Sequence, residues 1–160
     1  MDAIIYESNT GFTEHYARLL AEKLGKPAYS AKEAASKLAK GSEVIYLGWV
    51  MANQICGLKK AVRRWNVKAA GAVGLYPLSE TNTNILIAKN KTDFPLFYLR
   101  GGLDHSRLKG MKKKLILMIR DNLIRENDPQ NAELIKVLTD GGDFVSEENL
   151  TALLAFALML

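Results

Sequence analysis

The sequence predicts an α/β fold in which a parallel β-sheet is covered by helices on both faces. Short apolar runs alternate with segments in which apolar residues recur at helical spacing, and this alternation is typical of parallel sheets. The 160 residues contain no repeat, low-complexity tract or linker, so we expect one domain spanning residues 1–160. The single cysteine, Cys56, excludes an intramolecular disulfide, and a chain of this length can bury a core without one.

Five apolar runs have the length and composition of buried strands. The first is rich in isoleucine and the third reads EVIYLGW. The fourth ends before Pro77, and the fifth, FPLFYLR, ends before the glycine pair Gly101 and Gly102. The predicted strands cover residues 3–6, 27–30, 43–49, 71–76 and 94–100.

Helical segments separate these runs. In the first of them Tyr16, Leu20 and Leu24 recur at helical spacing, and Gly25 supplies the C-terminal stop. Ser30 and Ser146 carry side chains that cap helix N-termini. The predicted helices cover residues 13–24, 30–41, 58–65, part of 78–89, 107–125, 131–138 and 147–158.

The positive charge is concentrated in one part of the chain. The net charge is +5, and residues 100–125 contain eight basic and only two acidic residues. No nucleic-acid-binding motif accompanies this charge, so we expect no nucleic-acid partner. Two interpretations remain for the stretch with Lys109, Lys112, Lys113 and Lys114: a solvated helix face, or a docking patch for an anionic membrane surface or an acidic redox partner. The apolar run at 115–119 is interpreted as core.

The two ends of the chain bear on location and assembly. The first residues lack the basic start and long apolar run of a secretory signal, and no window is long enough for a membrane span. Together with the lone thiol, this predicts a cytoplasmic protein. The apolar run at 152–160 is expected to pack onto the body, with homodimer formation as the alternative.

A hydroxyl-rich loop follows the first predicted strand and opens directly into a helix. Parallel sheets bind ligands beyond the carboxyl ends of their strands, and the first N–H groups of a helix favour an anion. Because the loop contains no lysine or arginine, we expect it to enclose a phosphate with neutral donors. The alternative is a helix cap without a ligand. The predicted phosphate site consists of Ser8, Asn9, Thr10, Gly11, Phe12 and Thr13.

Three other binding motifs are excluded at this loop. A Walker A loop needs a glycine–lysine pair followed by serine or threonine, which is absent. The dinucleotide fingerprint needs three spaced glycines, whereas the loop has only Gly11. A receiver domain would have acidic residues after the first and third strands, but the third strand ends in Gly48 and Trp49.

The pattern IIYxSxTGxTE at residues 4–14 resembles the phosphate-binding signature of the flavodoxin family. Nearly the whole chain is similar to the branch that contains menaquinone-dependent protoporphyrinogen dehydrogenase. The similarity includes YLRGGLD at 98–104, the basic helix after it, and TDGGDFV at 139–145. The resemblance implies a flavodoxin-like, five-stranded parallel sheet of order 2-1-3-4-5, noncovalently bound FMN and electron transfer.

The resemblance also implies that the flavin ring lies between the loops after the third and fourth strands. The aromatic faces of Trp49 and Tyr76 suit stacking on a flat ring, and the charge of Arg100 would favour the reduced, anionic flavin. The alternative is that Trp49 and Tyr76 are core residues at strand ends. The predicted ring-binding residues are Trp49, Val50, Met51, Ala52, Asn53, Tyr76, Pro77, Leu78 and Arg100.

Three functions remain open from the sequence. The first is an FMN-binding redox protein that carries electrons between a reductant and a partner protein or a quinone-like small molecule. The second is a quinone-dependent enzyme of the protoporphyrinogen dehydrogenase type, and the third is a protein-interaction domain without flavin. His15 and His105 have no ligand-spaced partner, so we expect no metal site. Cys56 is interpreted as a packed side chain rather than a nucleophile.

Overall fold

The computed structural model describes residues 1–160 and has five parallel strands at its centre. Their order is β2-β1-β3-β5-β6, which is the expected 2-1-3-4-5 when the two-residue β4 (Gln54–Ile55) is left out of the count. The predicted α/β class with a parallel sheet is therefore confirmed. The parallel strands are β1 (Ala3–Glu7), β2 (Ala28–Ser30), β3 (Glu43–Met51), β5 (Asn66–Gly74) and β6 (Leu96–Arg100).

Seven α-helices accompany the sheet. The predicted caps are confirmed, because the Ser30 and Ser146 hydroxyls accept hydrogen bonds from backbone N–H groups at the starts of the second and seventh helices. The helices are α1 (Phe12–Leu24), α2 (Ala31–Lys37), α3 (Leu58–Arg64), α4 (Glu80–Asn90), α5 (Gly110–Glu126), α6 (Ala132–Asp140) and α7 (Glu147–Ala157).

Helices cover both faces of the sheet. Alternate residues of each strand point to opposite faces, so Ile4 packs with Tyr16 of α1 and Leu153 of α7, whereas Ile5 joins the cluster that contains Leu58 of α3. Both faces are thus buried, which explains why the strands read as continuous apolar runs. The loops that follow β1, β3 and β5 emerge together at the carboxyl edge of the sheet.

Two strand boundaries differ from prediction. The predicted loop 50–57 begins as a hairpin, in which Val50 and Met51 at the end of β3 pair with β4. A two-residue strand is too short to show a periodic pattern. The fourth predicted strand, 71–76, corresponds to β5 and begins earlier, at Asn66. The sequence did not predict the first residues of β5, because Ala69 and Ala70 lie there and alanine is a weak strand former.

The segment between β6 and α7, residues 101–146, builds a separate layer that we call the insert. The glycine pairs 101–102 and 141–142 lie close together, because β7 (Gly102–Leu103) pairs antiparallel with β8 (Gly142–Asp143). Between these strands α5 and α6 pack on a small apolar cluster around Leu103. The helix predicted at 107–125 begins later, at Gly110, since His105–Arg107 form a 3₁₀ turn capped by the Asp104 carboxylate.

The end of the chain belongs partly to the core. Leu153 and Ala157 are buried, so the predicted packing of the 152–160 run is confirmed for its helical part. Leu158 and Met159 are 69% and 77% exposed. The homodimer remains a prediction. None of the helices has both the length and the apolar character needed to cross a bilayer.

Candidate functional site

A cavity of about 310 Å³ lies at the carboxyl edge of the sheet. Its walls come from the residues after β1, β3 and β5, together with α4 and the insert. The strand order reverses between β1 and β3, and open parallel sheets bind ligands at such a point. The predicted residues that line the cavity are Asn9, Thr10, Phe12, Thr13, Trp49, Val50, Met51, Ala52, Asn53 and Tyr76. The predicted residues outside its lining are Ser8, Gly11, Pro77, Leu78 and Arg100.

The loop after β1 is held by an internal hydrogen bond and leaves backbone donors free. Ser8 Oγ accepts a hydrogen bond from the Gly11 amide over 3.1 Å, and Gly11 has a φ of 101°, which favours glycine. Gly11 is the N-cap of α1, and no side chain caps this helix. The amides of Phe12, Thr13 and Glu14 therefore have no acceptor within the protein. Thr13 is only 2% exposed, although nearly all other buried side chains are apolar or aromatic.

Two cations from the insert reach this loop. Arg107 Nη1 donates to the carbonyl oxygen of Thr10 over 3.0 Å, and Lys112 Nζ donates to Asn9 Oδ1 over 2.7 Å. The loop itself supplies only neutral donors, but two basic side chains from the insert contact it. The two basic residues lie 97 and 103 residues away from their partners in the chain, so the sequence of the loop gave no indication of these contacts. Lys112 lines the cavity and Arg107 contacts the loop from outside its lining, so the positive charge beside this loop favours an anion there.

The β3–β4 hairpin forms a second wall of the cavity. Its turn residues Ala52 and Asn53 have φ values of 49° and 59°, as a tight two-residue turn requires. The Asn90 side chain of α4 braces the turn, since it accepts from the Ile55 amide over 2.9 Å and donates to the Asn53 carbonyl over 3.0 Å. The backbone of the hairpin is thereby held at the cavity rim.

Trp49 and Tyr76 belong to the cavity rather than to the core. Trp49 is half-buried, and the Lys112 ammonium lies 5.2 Å from its ring centroid. Tyr76 is 47% exposed. The alternative that both are core residues at strand ends is therefore wrong.

Tyr98 is a cavity residue that the sequence analysis did not single out. Its hydroxyl donates to the carbonyl oxygen of Tyr76 over 2.7 Å, which fixes the start of the loop after β5. Burial raises the pKa of the Tyr98 phenol, so it stays a neutral donor at physiological pH. Beyond this point the loop turns outward, and Leu78 is 65% exposed.

Helices α5 and α6 roof the cavity with apolar side chains. Leu115, Ile116 and Ile119 of α5 and Leu134 and Leu138 of α6 line it. The interpretation of 115–119 as core holds only in part: Ile116 packs against the apolar cluster around Leu103, but none of the 17 residues of α5 is fully buried. Helical spacing correctly indicated an apolar face on this segment, but it did not indicate that a cavity lies under that face.

Arg100 is engaged inside the insert. Its guanidinium pairs with the Glu133 carboxylate and lies 3.8 Å from the ring centroid of Phe144, and its side chain is 19% exposed. The positive charge expected at the cavity from Arg100 is thus partly neutralised by Glu133. Lys112 is the basic residue in the cavity lining.

Cys56 is partly buried, and the acidic, histidine and cysteine side chains do not form a metal cluster. Burial raises the pKa of the Cys56 thiol to about 11, and the Glu7 carboxylate adds to this effect. The thiol is therefore protonated at neutral pH and is a poor nucleophile. No group of three or more histidine, cysteine, aspartate or glutamate side chains has the arrangement of a metal site.

Comparisons with protein-family models, curated proteins and solved structures find no significant match to the chain. What the site can bind therefore follows from its own geometry. One end of the cavity offers free backbone amides and the Lys112 ammonium, and Arg107 contacts the same loop from outside the cavity lining. The other end is apolar and aromatic. This division suits a ligand with one anionic group and a flat apolar part.

Proposed function

We propose that the chain is a flavodoxin-like, FMN-binding redox protein that carries electrons between a reductant and a protein or small-molecule acceptor. The observation that carries the proposal is the uncapped N-terminus of α1 at one end of an apolar cavity. Unpartnered amides and the helix dipole favour a phosphomonoester there. In flavodoxin, whose sheet has this strand order, FMN binds at the crevice between the first and third strands.

The loops after β3 and β5 are suited to the flavin ring. Trp49 offers an aromatic face for stacking. The hairpin backbone at Met51, Ala52 and Asn53 lines the cavity and would supply hydrogen bonds to the polar edge of the flavin ring. When bound, FMN would supply reversible uptake of electrons, while these residues orient the ring and the roof of α5 limits its contact with water.

Spectroscopy of the purified protein tests the proposal. A noncovalent flavin is expected to give visible absorption bands that denaturation releases into solution, and flavin-free protein is expected to quench FMN fluorescence on binding. The absence of both signals at high FMN concentration would overturn the proposal. It would also favour the third function, a protein-interaction domain without flavin.

A Thr13→Val variant tests the phosphate end of the site. Thr13 is buried at the cavity, and we expect its hydroxyl to donate to the phosphate. Its loss is therefore expected to weaken FMN binding about 10- to 100-fold, as for a hydrogen bond to a charged group. Thr151→Val on the exposed surface of α7 is the matched control and is expected to bind FMN normally.

The second candidate function is an oxidoreductase for a large, flat, apolar substrate such as a quinone or a tetrapyrrole. It is favoured by the cavity mouth, where Met51, Tyr76 and Ile119 line the cavity and are also 45%, 47% and 36% exposed. An apolar mouth suits an apolar acceptor. Quinone-dependent oxidation of protoporphyrinogen by the FMN-loaded protein tests this function, and activity with small dyes alone would exclude it.

The outer side of the insert is a candidate contact for an anionic membrane surface. Lys109, Lys113 and Lys114 are exposed beside Met111, which is 78% exposed. Lysines flanking an exposed apolar side chain are typical of weak interfacial contacts. Sedimentation with anionic vesicles at low salt tests this contact, and equal binding to neutral vesicles would exclude it.

A further inference from the structure

We propose that Arg107 and Lys112 form a two-cation clamp that binds the phosphate of the cavity ligand and makes the site selective for phosphorylated flavin. This inference rests on the proposed function, because it assigns a role within the same cavity. The loop after β1 contains no basic residue, so the positive charge beside it comes from these two side chains of the insert.

Arg107 lies directly against the loop. A Cβ placed on Gly11 would come within 2.3 Å of Arg107 Nη1, so a larger residue at this position would displace the guanidinium from the loop. Its Nη1 donates to the Thr10 carbonyl, and its Nε faces the Asp104 carboxylate at 3.3 Å. Asp104 thus orients the guanidinium, while the edge that carries Nη1 faces the phosphate loop.

Lys112 approaches the same loop from the cavity side. Its Nζ bonds to a neutral amide oxygen, Asn9 Oδ1, and lies over the Trp49 ring. Lys112 is in the cavity lining, and no carboxylate forms a salt bridge with it. The bond from the Lys112 ammonium to the Asn9 amide is already charge-assisted, and a phosphate dianion in its place would add the attraction between two opposite charges.

The clamp makes a specific prediction about ligand choice. Both cations contact the loop where the phosphate would bind, and only the phosphate distinguishes FMN from riboflavin. Removing the cations should therefore weaken FMN binding and leave riboflavin binding nearly unchanged. A general effect on the cavity would weaken both ligands together.

The test compares Arg107→Gln, Lys112→Met and the double variant with wild type, using fluorescence titrations with FMN and with riboflavin. Lys113→Met is the matched control, because Lys113 is exposed on the same helix as Lys112 but makes no hydrogen bond to the loop. We expect each single substitution to raise the Kd for FMN about tenfold and the double substitution up to about 100-fold. The riboflavin Kd should change less than threefold, and added salt should weaken FMN binding only when the cations are present.

Two outcomes would overturn the clamp: an unchanged FMN Kd in the double variant, or an equal loss for FMN and riboflavin. If wild type binds neither flavin, the proposed function fails, and titration with inorganic phosphate decides the clamp separately. Backbone NMR shifts at Gly11, Phe12 and Thr13 that disappear in the double variant would support it. No phosphate-induced shift in wild type would overturn it.

Discussion

Lys112 in α5 donates a hydrogen bond to the side chain of Asn9 over 2.7 Å, although 103 residues separate them in the chain. This bond and the neighbouring one from Arg107 to Thr10 join the insert to the loop after β1. The two ends of the cavity therefore come from distant parts of the sequence. Substitutions at the loop, in the insert and in the core are expected to have separable effects on ligand affinity and on stability.

Gly11→Ala is expected to lower both stability and FMN affinity, because it combines a positive φ of 101° with a clash against Arg107. Gly25→Ala is the matched control, since Gly25 has a φ of 60° and open space around it. The left-handed backbone should cost about 1–2 kcal/mol of unfolding free energy in each variant. Urea denaturation measures this cost, and FMN titration should show a loss for Gly11→Ala alone. Equal FMN affinity in both variants would contradict the prediction.

Tyr16→Phe is expected to lower the unfolding free energy by about 1–3 kcal/mol, because it removes a buried hydrogen-bonding group. The Tyr16 hydroxyl donates to the Arg100 carbonyl over 2.5 Å and accepts from Asn149 Nδ2 over 2.7 Å, which links α1, β6 and α7. Tyr29→Phe is the control, because Tyr29 is only half-buried and its ring packs under the Lys37 ammonium. Urea denaturation distinguishes the two variants, and indistinguishable midpoints would refute this role of Tyr16.

The Cys56 thiol is expected to react slowly with iodoacetamide until the pH approaches 11, because burial raises its pKa to about 11 from an ordinary 9.0. The folded state holds this proton more tightly than the unfolded state. The contribution of Cys56 to stability is therefore complete below pH 9 and declines as the pH rises to about 11. Protein unfolded in urea is the control and should alkylate with a midpoint near pH 9. A native midpoint at or below that value would exclude a buried thiol.

Ligand binding is expected to slow amide hydrogen exchange in α5. This helix has no buried residue and is joined to the loop by a single side-chain hydrogen bond, from Lys112, so it should open readily without ligand. Helix α7, which buries Leu150 and Leu153, is the internal control and should exchange slowly in both states. Mass spectrometry with and without FMN measures the difference. Equal exchange of α5 in the two states would mean that the roof does not respond to the ligand.

Local patterns were sufficient for much of the fold. The isoleucine-rich run before Glu7 and the helical spacing of Tyr16 and Leu20 correctly indicated buried residues. The periodicity of a strand or helix determines which of its side chains lie on the buried face, and this periodicity is visible in the local sequence. The capping serines Ser30 and Ser146 also act within three residues of themselves. The hydroxyl-rich loop was placed at the carboxyl edge for the same reason, since it directly follows a strand.

The site was only partly predictable. Trp49 lies near the end of β3 and lines the cavity, whereas Arg100, assigned to the same edge by the same reasoning, pairs with Glu133. The end of a strand determines where a side chain starts, but not which partner a long, flexible side chain reaches. The β3–β4 hairpin was missed because its returning strand is only two residues long.

The sequence by itself determined the alternation of strands and helices, the parallel sheet, and the polar loop at the start of α1. Only the tertiary structure decided that the insert folds back over that loop, that Arg107 and Lys112 reach it, and that the apolar face of α5 covers a cavity. The physical reason is the distance along the chain over which each kind of interaction acts. Periodicity and capping act within a few residues, whereas contacts across about a hundred residues depend on how whole elements pack.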